Sequence, residues 1–105
     1  MSQGFKVAAA LLLAASLTAP ALAEDAAILY KAKCAMCHGA DGLAATPMGK
    51  TMKILSFKDA SMVKAPDAQF IASTKNGKGK MPAYTGKLTD AQIKDVIAYI
   101  RTLQK

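Results

Sequence analysis

Both cysteines of this chain and its only histidine fall within five consecutive positions, Cys34-Ala35-Met36-Cys37-His38. Two thiols three positions apart on an incipient helix can reach two vinyl groups of one porphyrin, while the next residue projects an imidazole toward the central metal. C-x-x-C-H is the spacing by which a c-type haem is covalently attached. No other feature constrains the fold as strongly, because each residue type in the pentapeptide has a separate chemical job.

Two other uses of the same residues have to be weighed. A disulfide or thioredoxin-like redox centre suits a chain that lives where disulfides persist, but no β-α-β pattern accompanies the cysteines. Structural zinc wants four ligands, usually drawn from two separated pairs. Here one cysteine pair and one adjacent histidine would have to recruit Asp41 or water. One covalently bound haem c is the cofactor the residues favour.

The chain opens as an export signal does: Lys6 in a short polar start, an apolar run from Val7 to Leu17, then Thr18-Ala19-Pro20-Ala21-Leu22-Ala23, which ends in an A-x-A cleavage site. The run is 11 residues long, well short of the ~20 that span a bilayer. Residues 1–23 are therefore expected to be a cleaved secretory signal peptide, with Ala23 the last residue removed. That places the mature protein in the periplasm or an equivalent exported compartment such as a thylakoid lumen, with no stable membrane insertion. An uncleaved anchor is the rival reading, disfavoured by the small residues at Ala21 and Ala23.

Residues 24–105 then form one domain of 82 residues, which leaves no room for a second core. Domains of this size commonly need a disulfide, a metal or a cofactor to complete the interior. Without Lys6 the mature part has 13 Lys and Arg against 7 Asp and Glu, a protein charge of +6. That excess suits an acidic partner surface, although a solvated lysine-rich surface that keeps a small monomer soluble explains it equally well. No nucleic-acid partner is expected.

From Asp25 to about Cys37 an apolar face carried by Ala26, Ile28, Leu29, Tyr30 and Ala32 predicts a helix that delivers the cysteines, stopped by Gly39 and Gly42. The Gly- and Ala-rich stretch 39–53, with Pro47, reads as an irregular loop. A short helical turn is expected over Asp59 to Lys64, then a helix from Pro66-Asp67 toward Lys75, ended by Gly77. Thr89-Asp90-Ala91-Gln92 matches a capping box, and Ile93, Val96, Ile97, Ile100 and Leu103 recur at three and four, so a helix with one buried face starts there. The result is an all-α domain of three or four helices and long loops.

His38 is the expected proximal iron ligand, because attachment at Cys34 and Cys37 places the next side chain under the ring centre. Its other ring nitrogen should donate to a backbone carbonyl, for which Pro47 is the candidate. The sixth ligand is harder to name among Met36, Met48, Met52, Met62 and Met81, since most methionines only fill core gaps. Met81 differs in context: a Gly-rich loop precedes it and Pro82 follows it. Another methionine or an open position remains the alternative.

With the haem motif near the front, Asn76-Gly77-Lys78-Gly79-Lys80-Met81-Pro82-Ala83-Tyr84 later and Ala98-Tyr99-Ile100-Arg101 in the last helix, the chain resembles class I cytochrome c. It is most similar to the small bacterial and algal monohaem members, over essentially all of the mature chain. The resemblance implies a soluble electron carrier rather than an enzyme, with His38 and Met81 as axial ligands. It also implies first and last helices crossing beside the haem, with Tyr30 and Tyr99 at the family's aromatic positions. Where the family often has glycine, eight residues before the first cysteine, this chain has Ala26, which predicts a slightly wider crossing.

If sulfur and imidazole fill both axial positions, outer-sphere electron transfer is the chemistry left. Lys33, Lys75, Lys78, Lys80 and Lys87 fall around the segments that must approach the haem and could select an acidic redox partner. A haem enzyme or ligand sensor with an open or displaceable sixth position is the competing function. A dithiol oxidoreductase without haem is the third.

Overall fold

The computed structural model describes residues 19–105. The expected signal segment lies outside the described residues up to position 18, and residues 19–23 begin the first helix. Among the described residues there are six helices, α1 Ala19–Lys33, α2 Ala35–His38, α3 Pro47–Met52, α4 Ala60–Lys64, α5 Asp67–Asn76 and α6 Asp90–Leu103. Beyond them are two isolated β-bridges, Lys78 with Met81 and Thr85 with Leu88. The all-α expectation holds: three helices of ten residues or more carry the architecture, and three shorter ones line the haem-motif side.

α6 forms where its sequence signals said it would. The Thr89 hydroxyl accepts from the Gln92 amide at 3.0 Å, and the Gln92 side chain accepts from the Thr89 amide at 2.8 Å, completing the capping box. Ile93, Val96, Ile97 and Ile100 are buried in one core with Tyr30, Phe57, Phe70 and Leu88. Each such side chain is worth ~1.5–3 kcal/mol when removed from water, so α6 is the main apolar contributor. Leu103 is only partly buried, at the edge of that core.

α1 packs on α6 more extensively than any other helix pair. Tyr30 is fully buried between them, its ring tilted against Tyr99 with centroids 5.2 Å apart. Ala26 is buried as well, at 4% exposure. At the far end of α6, Arg101 ties three elements together. Its guanidinium meets the Asp67 carboxylate at 2.8 Å, bonds the Met62 and Ala65 carbonyls, and lies 4.4 Å over the Phe70 ring.

Two expectations need correction. The first helix is not continuous to Cys37: Cys34 leaves helical geometry at φ −120°, and α2 restarts at Ala35. The Cys34 amide still bonds the Tyr30 carbonyl at 2.9 Å, while the Cys37 and His38 amides both return to the Cys34 carbonyl. Cys34 is therefore a hinge between two helices, which re-aims the turn that follows.

The stretch 39–53 is likewise not wholly irregular, because it contains α3. Thr46 caps that helix through a 2.9 Å bond from the Gly49 amide, and Pro47 takes the first helical position, where its missing N–H costs nothing. A short Thr-Pro start is a weak helix signal against a Gly- and Ala-rich background.

Candidate functional site

A cavity of about 560 Å³ opens beside the attachment turn, lined by Cys34, Cys37 and His38 on one side and by Met81 on another. Its back wall is Val96, Ile97 and Ile100 of α6, and Phe57 and Phe70 close it between. The volume falls in the range of cofactor pockets and the lining is mostly apolar. Residues more than forty positions apart in sequence therefore face one space, as the haem reading requires.

The histidine wall is held by buried groups. The Tyr30 hydroxyl donates to the Gly39 carbonyl at 2.6 Å, and the Ala44 amide donates to the His38 carbonyl at 2.8 Å. The Thr46 hydroxyl donates to the Cys37 carbonyl at 3.1 Å while accepting from Gly49, so one side chain links α2 to α3. Gly49 makes this approach possible: a Cβ there would sit 2.6 Å from the Cys37 carbonyl oxygen and closer still to that of Ala44. The His38 ring stacks on Phe57 with centroids 4.6 Å apart and planes within 17°.

The expected bond from His38 to the Pro47 carbonyl is not made; Nδ1 is buried without a hydrogen-bond partner. Pro47 is the first residue of α3, and carbonyls in the first turn point along the helix toward their own partners four residues on. Thr46, one residue earlier, supplies the link between this segment and the attachment turn.

The methionine wall is a loop between α5 and α6. Lys78 and Met81 exchange backbone bonds at 3.2 and 2.9 Å, closing a tight turn on Gly79. Gly77 sits at φ +79°, and a Cβ on it would lie 2.8 Å from the Met81 carbonyl oxygen. The Tyr84 amide donates to the Thr74 carbonyl at 2.9 Å, anchoring the loop to the end of α5. The Tyr84 hydroxyl donates to the Lys33 carbonyl at 3.0 Å, so the methionine loop and the attachment turn are joined directly.

Of the other methionines, Met52 and Met62 also line the cavity, whereas Met36 is 74% exposed on the attachment turn and Met48 is exposed on α3. Among the lysines singled out from sequence, Lys33, Lys78 and Lys80 line the cavity. Lys75 does not; its ammonium lies 3.3 Å from Asp90. Lys87 is placed over the Tyr84 ring at 5.8 Å. Lys53, which sequence reading passed over, lines the cavity from the end of α3.

Ionisation supports a cofactor site over a dithiol site. Burial, then the neighbouring Cys37, pushes the Cys34 thiol up to about 11. A redox-active cysteine needs the opposite shift, toward the thiolate. Burial pushes the His38 imidazole below its ordinary value, which keeps the ring neutral and its lone pair available. A neutral imidazole with a buried, unpartnered nitrogen, two thiols and a thioether around one apolar cavity is a donor set that fits haem c.

A family model described as cytochrome c oxidase, cbb3-type, subunit III matches residues 21–100. Cytochrome c6 of Thermosynechococcus vestitus is 40% identical over 96 residues, covering 89% of this chain and 83% of that protein. The chain belongs to the class I cytochromes c. Cytochrome c6 of Nostoc sp. is 40% identical over 86 residues, covering 79% of this chain and 75% of the relative. Among solved structures, the KustC0563 c-type cytochrome superposes with a TM-score of 0.70 at 29% identity, over 76% of this chain and 98% of its own. As a class I cytochrome c the protein has a small all-α fold around one covalently bound haem c and works in electron transport.

Sequence reading missed Thr46, Gly49, Lys53 and Phe57. Thr46-Pro47 carried a usable signal as a helix start. Nothing in the sequence marks Phe57 as the ring beneath His38, because that contact is made by the path of the chain after α3.

Proposed function

We propose that this cytochrome is an exported one-electron carrier whose haem is attached through thioethers at Cys34 and Cys37 and ligated by His38 and Met81. The observation that carries the reading is that these four side chains line one cavity. When bound, the haem supplies a reversible Fe(II)/Fe(III) couple, and His/Met ligation is the general arrangement that raises the potential of cytochromes c. Everything else is the work of the polypeptide.

Phe57 and the buried α2–α3 contacts hold the His38 ring in one orientation, so the ligand moves little between redox states. The turn closed by Lys78 and Met81 presents the thioether from the other wall. Val96, Ile97 and Ile100 exclude water from the back of the site, which disfavours the extra charge of the oxidised state. His38 is the one histidine lining the cavity, and no carboxylate lines it.

Lys33, Lys78 and Lys80 are exposed at the rim without an acidic neighbour in the lining. Such a rim favours a redox partner with an acidic docking surface, met by a monomer. Cleavage after Ala23 delivers that monomer to the periplasm or an equivalent compartment. Among the described residues no helix is long and apolar enough to cross a membrane.

The visible spectrum of the oxidised holoprotein tests the ligation. A far-red sulfur-to-iron band is expected, and Met81→Ala abolishes it; a high-spin spectrum in the unmutated protein refutes Met81 as ligand. For docking, the rate with a natural partner should fall as salt rises. A rate indifferent to salt removes the lysine rim from the account.

A further inference from the structure

The break at Cys34 leaves a helix-end carbonyl without its usual donor. In a continuous helix the Cys37 amide would bond the Lys33 carbonyl four residues back, but it turns to the Cys34 carbonyl instead, at 3.2 Å. A carbonyl orphaned at a helix end takes water, a side chain or a neighbouring segment as its partner. Here the partner comes from 51 residues away: the Tyr84 hydroxyl donates to the Lys33 carbonyl at 3.0 Å.

That bond differs in reach from every other hydrogen bond of the loop 77–88 among the described residues. The Tyr84 and Thr85 amides donate to the Thr74 and Lys75 carbonyls at 2.9 and 3.2 Å, and the Thr85 hydroxyl donates to the Lys75 carbonyl at 2.7 Å. The Lys87 and Leu88 amides return to the Tyr84 carbonyl. Each of these ties the loop to α5 or to itself, so none opposes its withdrawal from the attachment turn. Tyr84 lines the cavity together with Lys33, Cys34 and Met81. It stands three positions after Met81, with Pro82 fixing φ between them, so movement of one is felt by the other.

We propose that the Tyr84–Lys33 hydrogen bond is a latch on the sixth ligand: it opposes withdrawal of the Met81 loop and so sets how readily an external ligand enters the site. The inference rests on the proposed ligation by Met81, through which Tyr84 acts as a positioning residue. An external ligand binds only molecules whose loop has withdrawn, so its apparent dissociation constant is the intrinsic one divided by the open fraction. Removing one exposed hydrogen bond raises that fraction roughly three- to tenfold.

The test is an imidazole titration of the oxidised holoprotein, unmutated, Tyr84→Phe and Thr85→Val, with denaturant unfolding of each. Tyr84→Phe keeps the ring and removes the hydroxyl; Thr85→Val removes a hydroxyl bond of the same loop that does not reach the attachment turn. Imidazole affinity should rise roughly three- to tenfold in Tyr84→Phe and stay put in Thr85→Val, although both variants unfold at somewhat lower denaturant. A merely structural hydroxyl would lower unfolding stability without changing the affinity. Two results overturn the latch: Tyr84→Phe with the unmutated affinity, or Thr85→Val rising as much as Tyr84→Phe. Absence of the far-red sulfur-to-iron band from the unmutated protein would instead refute Met81 as ligand and the latch with it, so the two failures are distinguishable.

Discussion

The two walls of the haem cavity are built to different standards. On the histidine side, bonds from Tyr30, Ala44 and Thr46 converge on three successive carbonyls, those of Gly39, His38 and Cys37, and a stacked phenylalanine backs the His38 ring. On the methionine side, one reciprocal backbone pair and one anchor to α5 hold a loop whose residues are mostly exposed. The contrast teaches that packing fixes His38 from several sides, while Met81 depends on a short loop and, under the proposed ligation, on the iron itself. Opening of the site should therefore begin at Met81.

The most damaging way to break this comparison is Gly49→Ala. Its helical backbone tolerates alanine, so the whole effect is the clash with the Cys37 and Ala44 carbonyls; crowding of this kind costs about 3 kcal/mol where nothing can move aside. Denaturant unfolding should show that loss together with poorer haem incorporation. Gly77→Ala is the matching change on the other wall: φ +79°, ψ +165° is an essentially glycine-only conformation costing about 1–3 kcal/mol, and a Cβ would also lie 2.8 Å from the Met81 carbonyl oxygen. Its expected signature differs: a folded, coloured protein whose far-red band is weakened. If both variants unfold the protein alike, the two walls are not different in kind.

Tyr30→Phe should cost about 1 kcal/mol, since the Gly39 carbonyl keeps its second bond from the Gly42 amide. The midpoint potential should stay put, because His38 is held by other contacts. The smallest effect belongs to Asp59, far from either wall. Its carboxylate is held below the ordinary range by bonds from the Ser61 hydroxyl and amide. A depressed acid contributes stability above its unfolded pKa, lost as pH falls through its folded value. Asp59→Asn should therefore lower stability slightly at neutral pH, with the difference vanishing as pH falls through the folded value, so the acid limb of the profile is flatter.

Legibility in the sequence followed the same divide. Elements specified by local signals were readable: the Thr89 capping box, the apolar stripe of α6, the Asp59 turn and the helix ended by Gly77. The haem c that the pentapeptide implies agrees with the family to which the chain belongs. What failed depends on long-range packing. The break at Cys34 arises because the turn must carry its cysteines past the end of α1. The use of Thr46 rather than Pro47 follows from where α3 starts, and that Lys53 lines the cavity while Lys75 and Lys87 do not follows from the path of the chain after α3. Charge and spacing could not distinguish those lysines, since all are exposed or half-exposed polar positions on the same basic chain.

Addition of carbon monoxide to the reduced holoprotein tests the central claim most directly. If His38 and Met81 both ligate the iron, the spectrum of the unmutated protein stays unchanged while Met81→Ala converts to the carbonyl form at once. Immediate, stoichiometric conversion of the unmutated protein would contradict the claim and return the site to a ligand-binding or enzymatic role.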